Sequence, residues 1–327
     1  MKDIHLIKAE QMAPIVNTLA GIGAPIERLS AQAGMSLDAM QVRDGVIGEY
    51  SLWKFIEYSA AHEDYKLLGY NSAMLNPITS RGEIGGFRMR LAPTLKMLLE
   101  YFIADVRSES SGTDYSLRHE GNGTWFRRLQ MFGKNGASWQ VEQYVIAMII
   151  QVIRICAGQD WSPLRIRISS VDKPKVLPEA WAQIGIEWGS EATEIWIPQS
   201  AMALPPVLLK YVPSRKPARQ FVNRSQELQF VDFVETQICT GHISLVAAAE
   251  EIGLSSATLK RKLRGQKMSY TEIVANVRFS MAQRMLQESD IPIGELAAEL
   301  GYEHQANFSR AFKRMSGLSP SVYRWSR

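Results

Sequence analysis

One pattern occurs twice in the last third of the chain, and it restricts the fold more than any other feature of the 327 residues. The first copy, ISLVAAAEEIGLSSATLKRKLR, runs from Ile243 to Arg264; the second, IPIGELAAELGYEHQANFSRAFKR, runs from Ile291 to Arg314. A shift of 48 residues pairs Ile243 with Ile291, Glu251 with Glu299, Ile252 with Leu300 and Gly253 with Gly301. Each copy reads as a helix, a turn and a second helix. An Ala-rich helix ends at a glycine, which can enter the left-handed region closed to most residues. Ser255 then offers an oxygen to cap the next helix, and Glu303 or His304 takes that place in the second copy, with poorer capping chemistry. The second helix carries an apolar i, i+4 stripe, Leu259 and Leu263 or Phe308 and Phe312, which must pack inward. Its other face carries Lys260, Arg261, Lys262 and Arg264, or Arg310, Lys313 and Arg314. A helix anchored on one side and basic on the other suits the major groove of DNA. One copy alone would fit an ordinary helical hairpin with a solvated face equally well; the repetition favours DNA.

The stretch ELAAELGYEHQANFSRAFKRMSGLSPSVYR, Glu295 to Arg324, resembles the signature of AraC/XylS-type transcription regulators. Gly301, Tyr302, Phe308, Arg310, Phe312, Lys313, Gly317, Pro320, Tyr323 and Arg324 stand where that pattern has them. Ala306 departs from it, at a position that often carries a base-reading polar side chain. The resemblance covers about residues 221–327 and implies an all-α domain of two helix-turn-helix subdomains joined by a helix, here Ser269 to Gln287. Carried over residue by residue, it aims Ser256, Ala257, Lys260, Arg261 and Arg264 of the first copy, and His304, Gln305, Ala306, Asn307, Arg310 and Lys313 of the second, at DNA. For Lys260 and Arg261, base and phosphate contact remain equally open. Gln305 and Asn307 suit adenine edges, and Arg310 suits guanine or phosphate.

Charge follows the motif. The chain is +4 overall, but residues 255–327 hold twelve Lys and Arg against six Asp and Glu, leaving −2 on the rest. A polyanionic partner is therefore expected at the double motif and nowhere else. Cys156 and Cys239 lie far apart with no Cys/His clustering, so neither metal nor disulfide is expected and the thiols read as those of a cytoplasmic protein. The N-terminal stretch has acids and no apolar run of signal-peptide type. The longest apolar run, Val145 to Ile150, is too short for a bilayer, which takes ~20 residues.

Residues 1–203 read as an α+β domain. Residues 1–85 look helical, with Trp53, Ile56 and Ala60 on one face of a helix over 49–61. A helix over 91–106 begins near Pro93. Strands over 114–119 and 124–132 flank Glu120-Gly121-Asn122-Gly123, a hairpin signal. A long apolar helix covers 139–157, and strands cover 164–169, 185–188 and 194–197. Residues 204–220, with Pro205, Pro206, Pro213 and Pro217, suit a linker. A helix over 225–240 leads into residues 221–327. Ser269 and Glu272 suggest a capping box, and Glu250-Glu251 reads as a solvated acid pair. Trp125, Phe126, Trp139, Tyr144, Trp181, Trp188 and Trp196, with Arg88, Arg90, Arg127 and Arg128, fit a small-molecule pocket or a structural core. In layout this domain resembles, diffusely, the non-cupin sensor domain of one AraC-type subgroup, which implies effector sensing and self-association but names no ligand residues.

The chain thus reads as a cytoplasmic, sequence-specific transcription regulator and not an enzyme. Expected partners are a double-stranded DNA operator, RNA polymerase, a small-molecule effector and a second copy of the chain, with no cofactor, metal or membrane. Two rivals are an architectural DNA binder without ligand and a DNA-anchored alkyl-transfer repair enzyme. The latter needs an activated cysteine and a four-cysteine zinc site, which two isolated cysteines do not supply.

Overall fold

The computed structural model describes residues 4–62, 65–78, 89, 91–130, 138–207 and 225–325. Seven strands and thirteen α-helices are named in it. The strands are β1 (Leu6–Lys8), β2 (Val46–Gly48), β3 (Thr113–Glu120), β4 (Gly123–Gln130), β5 (Arg165–Ile168), β6 (Gly185–Trp188) and β7 (Thr193–Pro198). The N-terminal helices are α1 (Ala13–Gly21), α2 (Ile26–Ala33), α3 (Glu49–His62), α4 (Leu68–Leu75), α5 (Leu95–Glu109) and α6 (Trp139–Ala157). The C-terminal helices are α7 (Gln226–Cys239), α8 (Leu245–Glu251), α9 (Ser256–Gly265), α10 (Tyr270–Glu288), α11 (Ile293–Glu299), α12 (Gln305–Ser316) and α13 (Pro320–Trp325).

The α+β expectation holds. Five strands form one sheet in the order β3-β4-β7-β5-β6, antiparallel throughout except β5 with β6. The hairpin falls where it was expected: Glu120 pairs with Gly123, and Gly121 takes φ +56°, the conformation a two-residue turn requires of its first central residue when that is glycine. Pleating sorts the faces. Leu117, Phe126, Ile195 and Ile166 lie in one cross-strand row and join the core under the helices. On the other face Arg127 and Arg167 both bind Glu194, and the Arg165 and Arg167 guanidinium groups lie over Trp196 and Trp125. α6 is buried almost all round, so its uniform apolarity serves this core. It is the one described helix long and apolar enough to cross a membrane, and 78% of that stretch is buried. Its buried Glu142 accepts from the backbone N–H groups of Ser169 and Ser170 and from the Thr193 hydroxyl, tying the helix to the sheet.

Three expectations need correction. Residues 1–85 are not all helical: β1 and β2 pair antiparallel, Ile7 opposite Ile47. Each strand has three residues, too few for alternation to be legible. The helix expected over 91–106 starts at Leu95, because the Thr94 hydroxyl accepts from Met97 N–H and ends the extended chain there; Pro93 lies outside it. Ser269 occupies the cap position of α10 but makes no side-chain capping bond, so the expected box does not form. Arg88, Arg90 and most of the linker, 208–220, lie outside the described residues.

Two cores divide the chain. Because side chains alternate across a strand, the small β1–β2 sheet serves both. Ile47 is buried in the first core, with Ile7 packed against it. Leu6 and Val46 point the other way, into the second core, beside Phe230, Phe233, Val234 and Ile238 of α7. The Thr236 hydroxyl accepts from Val46 N–H at 2.8 Å, and the Glu251 carboxylate accepts from Gly48 N–H at 3.0 Å. Tyr50 closes the contact: a Cβ added at Gly253 would come within 2.7 Å of its ring. The first helix-turn-helix is therefore seated on the N-terminal domain by its turn.

Candidate nucleic-acid interface

Both motifs close as their sequences require. Gly253 and Gly301 each take φ +73°, the left-handed conformation that lets the chain reverse between helices. The Ser244 hydroxyl caps α8 by accepting from Ala247 N–H, and the Ser255 hydroxyl caps α9 by accepting from Thr258 N–H. In the second copy His304 takes the cap position without a side-chain bond. α12 is held instead by its aromatic stripe. Phe308 and Phe312 are buried and lie against Tyr302, Phe279 and Tyr323, with ring centroids 5.2–5.7 Å apart. Leu259 and Leu263 do the same for α9.

With those stripes inward, the opposite faces are open. On α9, Ala257, Lys260, Arg261 and Arg264 are exposed, while Ser256 and Lys262 are half-buried. On α12 and its cap, His304, Gln305, Ala306, Asn307, Arg310 and Lys313 are all exposed. Arg310 donates from Nη2 to Asn307 Oδ1 at 2.6 Å, so one carbonyl expected to be free for a base instead steadies the guanidinium. Among the described residues Lys260, Arg261, Arg264 and Lys313 have no ion-pair partner, leaving them available to phosphates or base edges.

α10 fixes the two motifs relative to each other. Its Tyr270 hydroxyl donates to Ile243 O, at the start of the first motif. Its Arg278 donates to Gly301 O, in the turn of the second, and lies 4.6 Å over the Tyr302 ring. Ile243 also fills the space beside Gly301, within 2.4 Å of where a Cβ would be. The closing segment is drawn in likewise: Tyr323 accepts from Gln283 Nε2 at 2.8 Å, and Arg324 donates to Ile291 O. At 1.5 Å per residue, the 19 residues of α10 span about 28 Å, close to the ≈ 34 Å of one duplex turn.

The acid pair on α8 is not solvated as expected. Glu250 is exposed, but Glu251 is 5% exposed and holds Gly48 N–H and Gln237 Nε2. Burial lifts its carboxyl from 4.5 to about 7, against the lowering effect of those two bonds. The partner that buries it lies 203 residues away, and no local pattern announces that. The aromatic residues singled out in sequence also divide. Trp125 and Trp196 pair on the outer sheet face, and Trp139, Trp181 and Trp188 cluster near one end of α6. Among the described residues of that set, Tyr144 and Arg128 alone reach a cavity of about 90 Å³ inside the N-terminal domain, with Glu49, Trp53 and Tyr115. Among the described residues no group of three or more His, Cys, Asp or Glu is placed to hold a metal.

Comparison with known proteins agrees with this architecture. A helix-turn-helix domain family matches residues 248–326. The ornithine utilization regulator of Pseudomonas aeruginosa is 35% identical over 80 residues, 24% of this chain and 24% of that protein. The transcriptional regulator VqsM of the same organism is 32% identical over 95 residues, 29% and 28% of the two chains. The arabinose operon regulatory protein of Salmonella typhimurium is 28% identical over 93 residues, 28% and 33%. Residues 248–326 are thus a helix-turn-helix domain of the AraC/XylS type. The match spans about a quarter of the length of the first two relatives. The crystal structure of the regulator CdpR from P. aeruginosa aligns with 96% of this chain and 98% of its own, at 14% identity and a TM-score of 0.43.

Proposed function

We propose that the protein is a sequence-specific, double-stranded DNA-binding transcription regulator whose N-terminal domain controls it through a small-molecule effector and self-association. The observation that carries this is the pair of recognition helices, α9 and α12, each with its apolar stripe buried and its basic face open. Both are held by one linker helix of nearly a duplex turn in length. In this reading Ser256, Ala257, Lys260, Arg261 and Arg264 enter one major groove. His304, Gln305, Ala306, Asn307, Arg310 and Lys313 enter the next, on the same face of the duplex about 10 bp away. Domains at 1–203 and 221–327, joined through 204–220, separate sensing from DNA contact. RNA polymerase is the natural further partner, and the cytoplasm the natural location.

Self-association follows from affinity. One C-terminal domain offers two short helices and modest excess charge, so alone it binds DNA weakly and with steep salt dependence. Pairing two copies through residues 1–203 makes the second contact intramolecular and raises apparent affinity by orders of magnitude where the spacing fits. The test is selection of random duplexes on full-length protein, followed by footprinting and sedimentation. The expected result is an enriched, repeated half-site with protection in successive major grooves, bound by a dimer. Absence of any enriched sequence, or protection confined to one groove's width, defeats the reading.

A further inference from the structure

We infer that the cavity between α3, α6 and the β3–β4 hairpin is a binding site for a small organic acid, with the ligand carboxylate seated on Arg128. This deepens the proposed function and rests on the reading of residues 1–203 as a sensor. Arg128 stands on β4 opposite Tyr115, on the sheet face that carries Phe126 into the core. Its side chain is 2% exposed. It lies 5.6 Å over the Trp53 ring, yet among the described residues its Nε and Nη1 have no hydrogen-bond partner. A buried guanidinium with unused donors is costly unless something anionic completes it.

The nearby acids do not complete it. Glu109 is engaged by Lys8 at 3.2 Å. Glu49 already accepts from the Ser110 hydroxyl at 3.0 Å, and bonds from Gly112 N–H and the Trp53 side chain also hold it. Burial raises its carboxyl to about 7, with Arg128 pulling the other way, so near neutrality it offsets the arginine only in part. Arg128 is the one cation among the described lining residues; the remainder of the wall is mostly apolar, including Ile15, Leu52, Ile56, Val145 and Met148. A fork of donors at one end of an apolar chamber matches a carboxylate on a hydrocarbon body. The volume of about 90 Å³ takes roughly six to nine non-hydrogen atoms, judged by the space one water needs.

The test is calorimetric titration and thermal melting of the full-length protein, without DNA, using hexanoate and benzoate as probes. Hexanamide and benzamide serve as neutral counterparts, and hexylamine as the cationic one. The acids should bind saturably and raise the melting temperature, and the amides should bind about tenfold more weakly or worse, since a charge-assisted bidentate contact is lost. Arg128→Met should erase the preference for acid over amide while melting no lower than wild type, because it removes an incompletely paired buried charge. If that variant does not fold, Val145→Trp, which fills the chamber and leaves Arg128 in place, must abolish acid binding. No acid binding at millimolar concentration, equal binding of amide or amine, or undiminished acid binding by Val145→Trp overturns the assignment. Because no DNA is present, failure here leaves the proposed operator recognition standing, and failure of the duplex selection leaves this site standing.

Discussion

Replacing Glu251 by glutamine should stabilise the protein, by a margin that grows as pH rises above about 4.5. In the folded chain the carboxyl has an affinity for its proton set near pH 7, against 4.5 ordinarily. An acid whose folded value is raised contributes stability that is fully present below 4.5 and is lost as pH climbs to 7. At 1.36 kcal/mol per pH unit the whole penalty at pH 8 is about 3 kcal/mol, of which about 1 is already felt at pH 5. Glutamine avoids it. Its carbonyl can still accept from Gly48 N–H, and its amide can donate to Gln237 Oε1, which has no partner among the described residues, once the Gln237 amide turns over. The wild type and Glu251→Gln should therefore differ by only about 2–3 °C at pH 5 and separate by roughly 5–10 °C at pH 8. Glu49 titrates in the same range but is common to both proteins and drops out of the difference. Melting followed by circular dichroism across pH 5–8 reads this directly. A variant that melts lower at pH 8, or a gap that does not change with pH, would refute the account of Glu251 as an acid buried against its own charge.

Three further outcomes are expected. Arg310→Ala and Gln305→Ala should each cost about 1–3 kcal/mol of operator affinity without altering melting; unchanged affinity in both would remove α12 as a reader. Tyr323→Ala, which strips the ring packed on Phe312, should destabilise the second subdomain by a few kcal/mol. Tyr323→Phe, which keeps the ring and loses the bonds from Gln283 and Gln287 to the hydroxyl, should cost about 1 kcal/mol; equal losses would deny the ring its packing role. Gly253→Ala should lower the melting temperature through both its φ of +73° and the Tyr50 ring 2.7 Å away. Tyr50→Ala in the same chain should recover part of that loss, and full additivity would mean the two do not touch.

Legibility in the sequence tracked the distance over which each signal acts. Helices α9 and α12 could be read because stripe, cap and glycine lie within a dozen residues of one another. The β3–β4 turn and α6 were equally local. Ser269 shows the limit of such grammar: the residue types of a capping box were present, but the hydroxyl makes no capping bond. What could not be read depended on residues far apart in the chain. Glu251 resembles any surface acid until Gly48 and Gln237 close over it. Arg128 differs from Arg127 only in strand parity, which sends one inward and the other to Glu194. The strands β1 and β2 are visible only as a pair.

That pair also sets a timetable for synthesis. Leu6 and Val46 leave the ribosome roughly 220 and 180 residues before Phe230 and Phe233, which cover them in the finished molecule. At 5–20 residues per second the wait is about 10–40 s. During it the nascent N-terminal domain can complete its own core while one apolar side of a short strand pair stays bare. A segment made well before its cover thus finishes folding among the last, and a chain released before α7 is made would carry that bare strip as a handle for chaperones or for aggregation.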